Sequence, residues 1–487
     1  VVRTATRSYG DTEVSAAIGE DGVLEGEFSH LNTGEDRRRV LALTAENRRA
    51  DGTPDNYDRE SERYGVIIGQ KRRETPSGFW AIAQFERREN IFDEGFAVQD
   101  KQRIPRFLAG YNWEKDDRSR TRVLVQASRP EYSIQYPDID GDYADFKFES
   151  LNAELRHDRK VNNKHFLNFG LFGGKRSRTA NTFLPDIFLG DLRTHSETDL
   201  TSYGAYVRSE WRPSERLSLA GELLWQKLKF DANSSISDGF LSFSSTQKGD
   251  QSHLLPKLVA SYNSDANNTF RLRLRRVAAS VEDFQLLRPT DGFWEFNDLA
   301  QPLFGGTSGG FLVGDGSSVE LEWDRTFRDA SFLQIALFSQ RLDNARYGAW
   351  ENMGAVNNVR QNGARIGYER QLGEHTSLFS RLYFNDAKAD GERLPQIPRF
   401  SAALGLQYFN RRGLFVQPLL TYQGSRVDDV TGQKFDSATV FDLRFGKRWG
   451  LRSTAFVELR NIFDEKYSVG QRQQYGRQFR VGYTQRF

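Results

Sequence analysis

Two segments of the chain carry charged side chains at every second position, and these are the residues with the clearest chemical use. The basic set is Arg271, Arg273 and Arg275, and the acidic set is Glu320, Glu322 and Asp324. Alternate residues of a β-strand share one face, so two such strands in register would form a ladder of opposite charges. The ladder either sets the selectivity of a polar channel or solvates and cross-links its wall. We favour the wall.

The same alternation returns near the C-terminus. Asp442 and Arg444 lie between Phe441, Leu443 and Phe445 in the sequence. In the next apolar segment the alternating charges are Glu458 and Arg460. These strands therefore have one apolar face and one charged face, and we expect all these charges to lie in a polar lumen.

A short acidic run offers the only candidate for a metal site. Asp138, Asp140 and Asp142 alternate around Gly141, as at the start of a calcium-binding loop. The usual bidentate glutamate would be Glu149, which we instead assign to the following strand. The run is a candidate structural Ca²⁺ site, with a solvated acidic loop tip as the alternative, and we expect no other cofactor.

Other constellations point away from catalysis. The chain has no cysteine, and its six histidines form no His-x-x-x-His pair. The glycine-rich stretch 304–316 lacks the Lys-Ser/Thr ending of a phosphate-binding loop. We therefore expect no enzymatic activity. Lys+Arg 68 against Asp+Glu 66 gives a net charge of +2, which argues against a nucleic-acid partner.

The elements that position these charges are strands. Apolar runs are too short for membrane-spanning helices, whereas about twenty-two segments of roughly ten alternating residues follow one another. Connections alternate between short turns and long stretches, such as 176–198, 232–249 and 281–316. We predict an all-β, transmembrane, antiparallel up-and-down β-barrel with short periplasmic turns and long extracellular loops. Residues 1–487 form one domain, with 1–11 as a possible N-terminal extension.

The C-terminal residues resemble the end of TonB-dependent outer-membrane receptors. That family carries an Asn-hydrophobic-Phe-Asp/Asn-x-x-Tyr segment, then Gly-Arg, then a final strand ending in Phe. The matching residues here are Asn461, Phe463, Asp464, Tyr467, Gly476, Arg477 and Phe487. The resemblance implies a plugged barrel of about twenty-two strands in the outer membrane of a Gram-negative bacterium.

The resemblance covers the barrel alone. Strand-like alternation begins near Thr12, and neither a plug domain, a TonB-contacting segment nor a signal peptide is recognisable in the sequence. We therefore expect an outer-membrane transport barrel that acts as a pore or export conduit, gated by its loops or by a partner. The alternatives are a TonB-dependent uptake receptor whose plug is absent from this chain, and a structural anchor for a periplasmic or surface assembly.

The expected partners follow from the predicted location. They are outer-membrane lipid and lipopolysaccharide, the barrel assembly machinery, and a possible lumen-filling or periplasmic protein. The substrate, the direction of transport and the oligomeric state are left open by the sequence.

Overall fold

The structure is a computed structural model of the chain, and it describes most of the residues. They are residues 11–19, 24–33, 39–50, 58–71, 77–93, 97–116, 118–135, 143–184, 191–237, 242–277, 313–346, 358–394, 397–427, 434–450, 452–466, 468–469, 472–473 and 476–487. All the regular elements in these segments are β-strands.

The strands follow the chain from end to end. The first nine are β1 (Asp11–Gly19), β2 (Leu24–Thr33), β3 (Arg39–Ala50), β4 (Asp58–Lys71), β5 (Gly78–Asp93), β6 (Ala97–Asp116), β7 (Ser119–Ser128), β8 (Glu131–Gln135) and β9 (Tyr143–Asn162). The next nine are β10 (His165–Leu184), β11 (Leu192–Trp211), β12 (Leu217–Ser237), β13 (Ser242–Asn263), β14 (Asn268–Val277), β15 (Val313–Thr326), β16 (Phe332–Arg346), β17 (Val359–Gly373) and β18 (Thr376–Ala389).

The remaining strands include several two-residue pieces. They are β19 (Glu392–Arg393), β20 (Phe400–Phe409), β21 (Leu414–Gln423), β22 (Arg426–Val427), β23 (Lys434–Phe435), β24 (Ala438–Trp449), β25 (Ser453–Arg460), β26 (Ser468–Val469), β27 (Arg472–Gln473) and β28 (Gln478–Arg486). β22 pairs with β23, and β26 pairs with β27, outside the main sheet.

The main sheet closes on itself. Consecutive wall strands pair antiparallel, and β1 pairs with β28, with Ala16 opposite Tyr483 and Ile18 opposite Val481. β8 continues β7 after a break at Arg129 and Pro130, because both pieces pair with β6 and with β9. Counted in this way, the wall has about twenty-two strands, and the predicted fold class is confirmed.

The two faces of the wall separate as the alternation predicted. Phe270, Leu272 and Leu274 are exposed on the outer face, where lipid would contact them. Tryptophans are also exposed on the outer face, as Trp113 on β6 and Trp225 on β12 are. Trp80 is different, because its ring lies over Gly110 on the inner face.

The connections differ from the prediction on one side of the barrel. Stretches 176–198 and 232–249 were expected to be long loops, yet most of their residues extend β10, β11, β12 and β13 as paired strands. Both faces are polar here, so the alternation that signals a strand is lost, while continued pairing still satisfies the backbone hydrogen bonds. Most of the predicted loop 281–316 lies outside the described residues.

Candidate functional site: the charged inner wall

The predicted charge ladder forms between β14 and β15. Arg271 is directly opposite Glu322, and Arg273 is directly opposite Glu320. Each guanidinium donates to its partner's carboxylate, and Arg273 Nη1 also donates to Glu322 Oε2 at 2.9 Å. The register that the sequence could not fix is therefore the one that pairs opposite charges.

At the two ends of the ladder, the charged residues are not directly opposite one another. Asp324 is opposite Thr269, and its carboxylate accepts diagonally from Arg271. Arg275 is opposite Ser318 and donates from Nε to the serine Oγ at 3.1 Å. All six residues of this ladder therefore face the lumen, and ion pairs join Arg271, Arg273, Glu320, Glu322 and Asp324 in one network.

The carboxylates at the centre of this network are almost completely buried. Glu320 is 2% exposed and Glu322 is 3% exposed, although both lie on the inner face of a wide barrel. A third strand contributes Arg365, whose Nη2 donates to both oxygens of Glu320 at 3.2 Å. Buried carboxylates are tolerated when several donors satisfy them, and here each has two guanidinium partners.

A second network on the inner wall was missed by the sequence analysis. Asp158 on β9 contacts Arg122 at 3.2 Å and accepts from Arg156 Nε at 2.8 Å. The Tyr206 hydroxyl donates to Glu154 on the same strand. Glu154, Arg156 and Asp158 occupy alternate positions, which is the signal that could have identified this strand as a second charged rib.

The C-terminal charges also lie on the inner face of the wall. Glu458 is directly opposite Arg444, and Arg460 Nε donates to Glu458 at 2.8 Å. Asp442 Oδ1 accepts from the backbone N–H of Asn461 at 2.8 Å. Arg480 on the last strand contacts both Glu458 and Glu25, so this network reaches across the closure of the barrel to β2.

The family motif builds the turn that leaves β25. Asn461 has a φ of 47°, its Oδ1 accepts from Glu465 N and its Nδ2 donates to Glu465 O, both at 2.9 Å. Asp464 Oδ1 accepts from Arg477 N at 2.8 Å. A Cβ at Gly476 would lie 2.5 Å from Asp464 Oδ1, so a larger residue there would displace this carboxylate.

The aromatic members of the motif have separate positions. The Phe463 ring stacks on Phe441 with centroids 5.7 Å apart. Phe487 pairs through its backbone with Thr12, donating N–H to the Thr12 carbonyl at 2.8 Å. Tyr467 lies outside the described residues.

An extracellular cluster of arginines stands above the charged wall. Arg393 donates to the carbonyls of Ile397 and Ser425 at 3.0 and 3.1 Å. The Arg426 guanidinium lies 5.2 Å from the centre of the Phe435 ring. Burial lowers the pKa of both arginines, and the neighbouring Arg399 lowers the pKa of Arg393 further. An arginine nevertheless keeps its charge in proteins, so this part of the mouth is basic.

The candidate calcium residues Asp138, Asp140 and Asp142 all lie outside the described residues, so that site stays a prediction. Within the described segments, no group of three or more histidine, cysteine, aspartate or glutamate side chains is placed to hold a metal ion. The described part of the chain also contains no helix long and apolar enough to cross a membrane.

A closed barrel with an apolar outer face and a charged, wide inner face defines a class of protein. That class is the outer-membrane transport barrel. The family model described as "TonB dependent receptor-like, beta-barrel" matches residues 21–462. The chain therefore belongs to the TonB-dependent receptor family through its β-barrel, and it is an outer-membrane protein of the Gram-negative type.

Solved structures share the fold at low sequence identity. The ferric yersiniabactin uptake receptor FyuA of Yersinia pestis has a TM-score of 0.82 at 15% identity, covering 99% of this chain and 81% of FyuA. The ferric-catecholate import receptor Fiu of E. coli K12 has a TM-score of 0.77 at 12% identity, with 99% and 82% covered. The copper transporter OprC has a TM-score of 0.76 at 16% identity, with 98% and 80% covered. A search of curated proteins finds no match.

Proposed function

We propose that this chain forms the wall of an energised outer-membrane receptor that imports an anionic metal chelate. The observation that carries the proposal is membership of the TonB-dependent receptor family over residues 21–462. The solved neighbours named above support uptake, because two are titled as an uptake or import receptor and one as a transporter. An enzyme has no comparable support.

The extracellular arginines support an anionic cargo. Arg393 and Arg426 lie at the end of the barrel where a ligand would first arrive, and burial has removed much of their hydration. A guanidinium carries five N–H donors, so each arginine can donate to an incoming anion in addition to its present contacts. Beside them, a buried apolar cluster fixes the strands that carry these arginines; its members are Leu342, Val359, Ala387, Leu394 and Ile397.

The pore or export conduit preferred from the sequence has less support. A charged inner wall suits a pore as well as a plugged receptor, so the wall does not separate the two. The solved neighbours, which are an uptake receptor, an import receptor and a transporter, favour uptake over both the pore and the structural anchor.

The decisive experiment uses the complete gene product in a Gram-negative strain that lacks its own metal-chelate receptors. Accumulation of a panel of radiolabelled ferric and cupric chelates is measured in TonB-containing and TonB-deficient cells. We expect at least one anionic chelate to accumulate only when TonB is present. Equal accumulation in both strains, together with steady conductance in planar bilayers, would establish the pore instead.

The anionic nature of the cargo is tested separately with Arg393→Gln/Arg426→Gln. We expect the affinity for the accumulated chelate to fall by at least about thirtyfold, since the two lost charge-assisted contacts each remove on the order of 1 kcal/mol or more. The control is Arg411→Gln, because Arg411 is exposed on a turn at the other end of the barrel. An unchanged affinity in the double variant contradicts an anion-binding mouth.

A further inference from the structure

The outer face of β12 changes abruptly from apolar to basic. Its outward row runs through Leu223 and Trp225, which are exposed for lipid contact, and continues with Lys227 and Lys229. Trp225 Nε1 donates to Ser252 Oγ on β13 at 3.1 Å. A tryptophan with an apolar body and a hydrogen-bonded ring nitrogen marks the membrane–water interface, so the lysines lie just above it.

Neighbouring strands make the same change at the same level. Lys175 on β10 is opposite Thr201 on β11, Thr201 is opposite Lys229 on β12, and Lys229 is opposite Asp250 on β13. Below this row Lys227 is opposite Ser252, and beneath that level the outward side chains are apolar or aromatic, as Leu171 and Leu254 are. One row of charge therefore crosses four adjacent strands directly above the lipid-facing band.

Ion pairs hold three of the lysines in place. The pairs are Lys175–Asp199 at 3.0 Å, Lys227–Asp250 at 2.7 Å and Lys248–Asp231 at 2.6 Å. Together with Thr201 and Lys229, most of these residues line a shallow depression of about 550 Å³. We call this group the rim patch: Lys175, Asp199, Thr201, Lys227, Lys229, Asp231, Lys248 and Asp250.

The rim patch keeps a positive balance and free donors. Its four lysines against three aspartates leave a net charge of +1. A lysine ammonium has three N–H donors, so a lysine paired with one carboxylate can still donate to a second anion. The pairs order the flexible lysine stems in advance, which lowers the entropic cost of binding a phosphate.

The outward rows above the rim patch change character again. Asn233 is opposite Thr246, and Ser235 is opposite Ser244, so on β12 and β13 the next two levels present amide and hydroxyl groups. On β11 the charged Glu197 lies opposite Asn233. Amide and hydroxyl groups suit the hydroxyls of a sugar. A headgroup that combines phosphate with sugar would contact both levels, whereas a simple phospholipid headgroup would contact the lower level alone.

We propose that the rim patch binds the phosphorylated sugar headgroup of an outer-leaflet glycolipid, with Lys229 and Lys248 contacting the phosphate. The acyl chains then lie along the apolar rows below Trp225. The site is on the lipid-facing side of the wall, so it is independent of what the lumen transports.

The test measures glycolipid binding by the purified full chain in detergent. The probes are bisphosphorylated lipid A, the same lipid after enzymatic removal of both phosphates, phosphatidylglycerol and inorganic phosphate. We expect bisphosphorylated lipid A to bind at least tenfold more tightly than each of the others. Lys229→Gln/Lys248→Gln, which reverses the net charge of the patch, should weaken this binding at least tenfold.

Two controls keep the result specific. Lys115→Gln/Lys447→Gln removes two outward lysines from the periplasmic end of the wall and should leave binding unchanged. Lys229→Arg/Lys248→Arg retains the charge and should retain the binding. Equal binding by the glutamine variant and the unaltered chain, or tight binding of the dephosphorylated lipid, overturns the proposal. Unheated electrophoretic mobility confirms in each case that the barrel is folded.

Discussion

At the scale of single residues, the inner wall depends on carboxylates that share their donors. Glu320 accepts from Arg273 on the neighbouring strand and from Arg365 two strands away. This makes Glu320 the junction of three strands, since it lies on β15 between β14 and β17. Its removal would leave Arg273 with Glu322 as its carboxylate partner and would take from Arg365 both of its contacts with Glu320.

We expect Glu320→Ala to destabilise the barrel by roughly 3 kcal/mol, the low end of the cost of breaking a buried ion pair, because the lumen is partly hydrated. Stability is measured as the free energy of unfolding in urea with the protein in lipid vesicles. The matched control is Glu374→Ala, whose pairing with Arg411 at 2.8 Å is fully at the surface and should contribute at most about 1 kcal/mol. Equal losses would show that Glu320 has no special role.

Residue types alone predicted this ladder in part. Alternation assigned the six charges to one face, because strand periodicity is a local property. The partner of each charge depends on register, which the long connection between β14 and β15 left undetermined. Arg365 could not be assigned to the ladder, because its contact with Glu320 crosses two strand boundaries.

At the scale of elements, the periplasmic turns fix where each pair of strands begins. Gly413, between β20 and β21, has a φ of +82°, and an added Cβ would overlap the carbonyl oxygen of Arg448. Gly450 follows β24 with a φ of +60°, and no described atom lies within 4 Å of its would-be Cβ. Both glycines therefore have a left-handed backbone conformation, but only Gly413 lacks room for a side chain.

We expect Gly413→Ala to reduce the yield of folded barrel strongly, because both the backbone conformation and the space exclude a side chain. Gly450→Ala should cost only about 1 kcal/mol, the penalty for the left-handed conformation alone. The measurement is the fraction of refolded protein with the faster, unheated electrophoretic mobility. Similar yields for the two variants would contradict the steric argument.

The β-strands were predictable from the sequence wherever one face of the strand contacts lipid. The apolar row of β14 and the final strand from Phe479 were recognised for that reason. The upper halves of β10 to β13 were assigned to loops, because outside the membrane both faces are polar and periodicity carries no signal. Pairing with an already formed neighbour decides their structure, and pairing is not visible in a single segment.

At the scale of the whole molecule, closure joins the two ends of the described wall. β1 and β28 pair over their length, and Arg486 Nη2 donates to Glu13 Oε2 at 3.2 Å on the inner face. The Thr12 and Phe487 backbones bond reciprocally at the same edge. Backbone pairing between β1 and β28 and the ion pair between Arg486 and Glu13 therefore both hold the barrel closed.

We expect Arg486→Glu to slow or weaken closure, because two carboxylates would then lie opposite each other. The swapped variant Glu13→Arg/Arg486→Glu should recover most of the loss, about 1 kcal/mol, since it restores opposite charges in the same register. Urea unfolding of the unaltered chain, of Glu13→Arg, of Arg486→Glu and of the swapped variant gives the coupling energy. The absence of recovery in the swapped variant would show that the two side chains do not interact across the closure.

The unequal strand lengths described above give the barrel a slanted lip. β13 has 22 residues and β1 has nine. At about 3.3 Å per residue and a tilt of about 40°, these strands rise roughly 55 Å and 23 Å, whereas the lipid-facing band is about 25 Å tall. One side of the mouth therefore stands well above the membrane, while the opposite side ends near it. A large particle that binds the top of β13, such as an antibody, would therefore lie up to roughly 30 Å above the lipid-facing band.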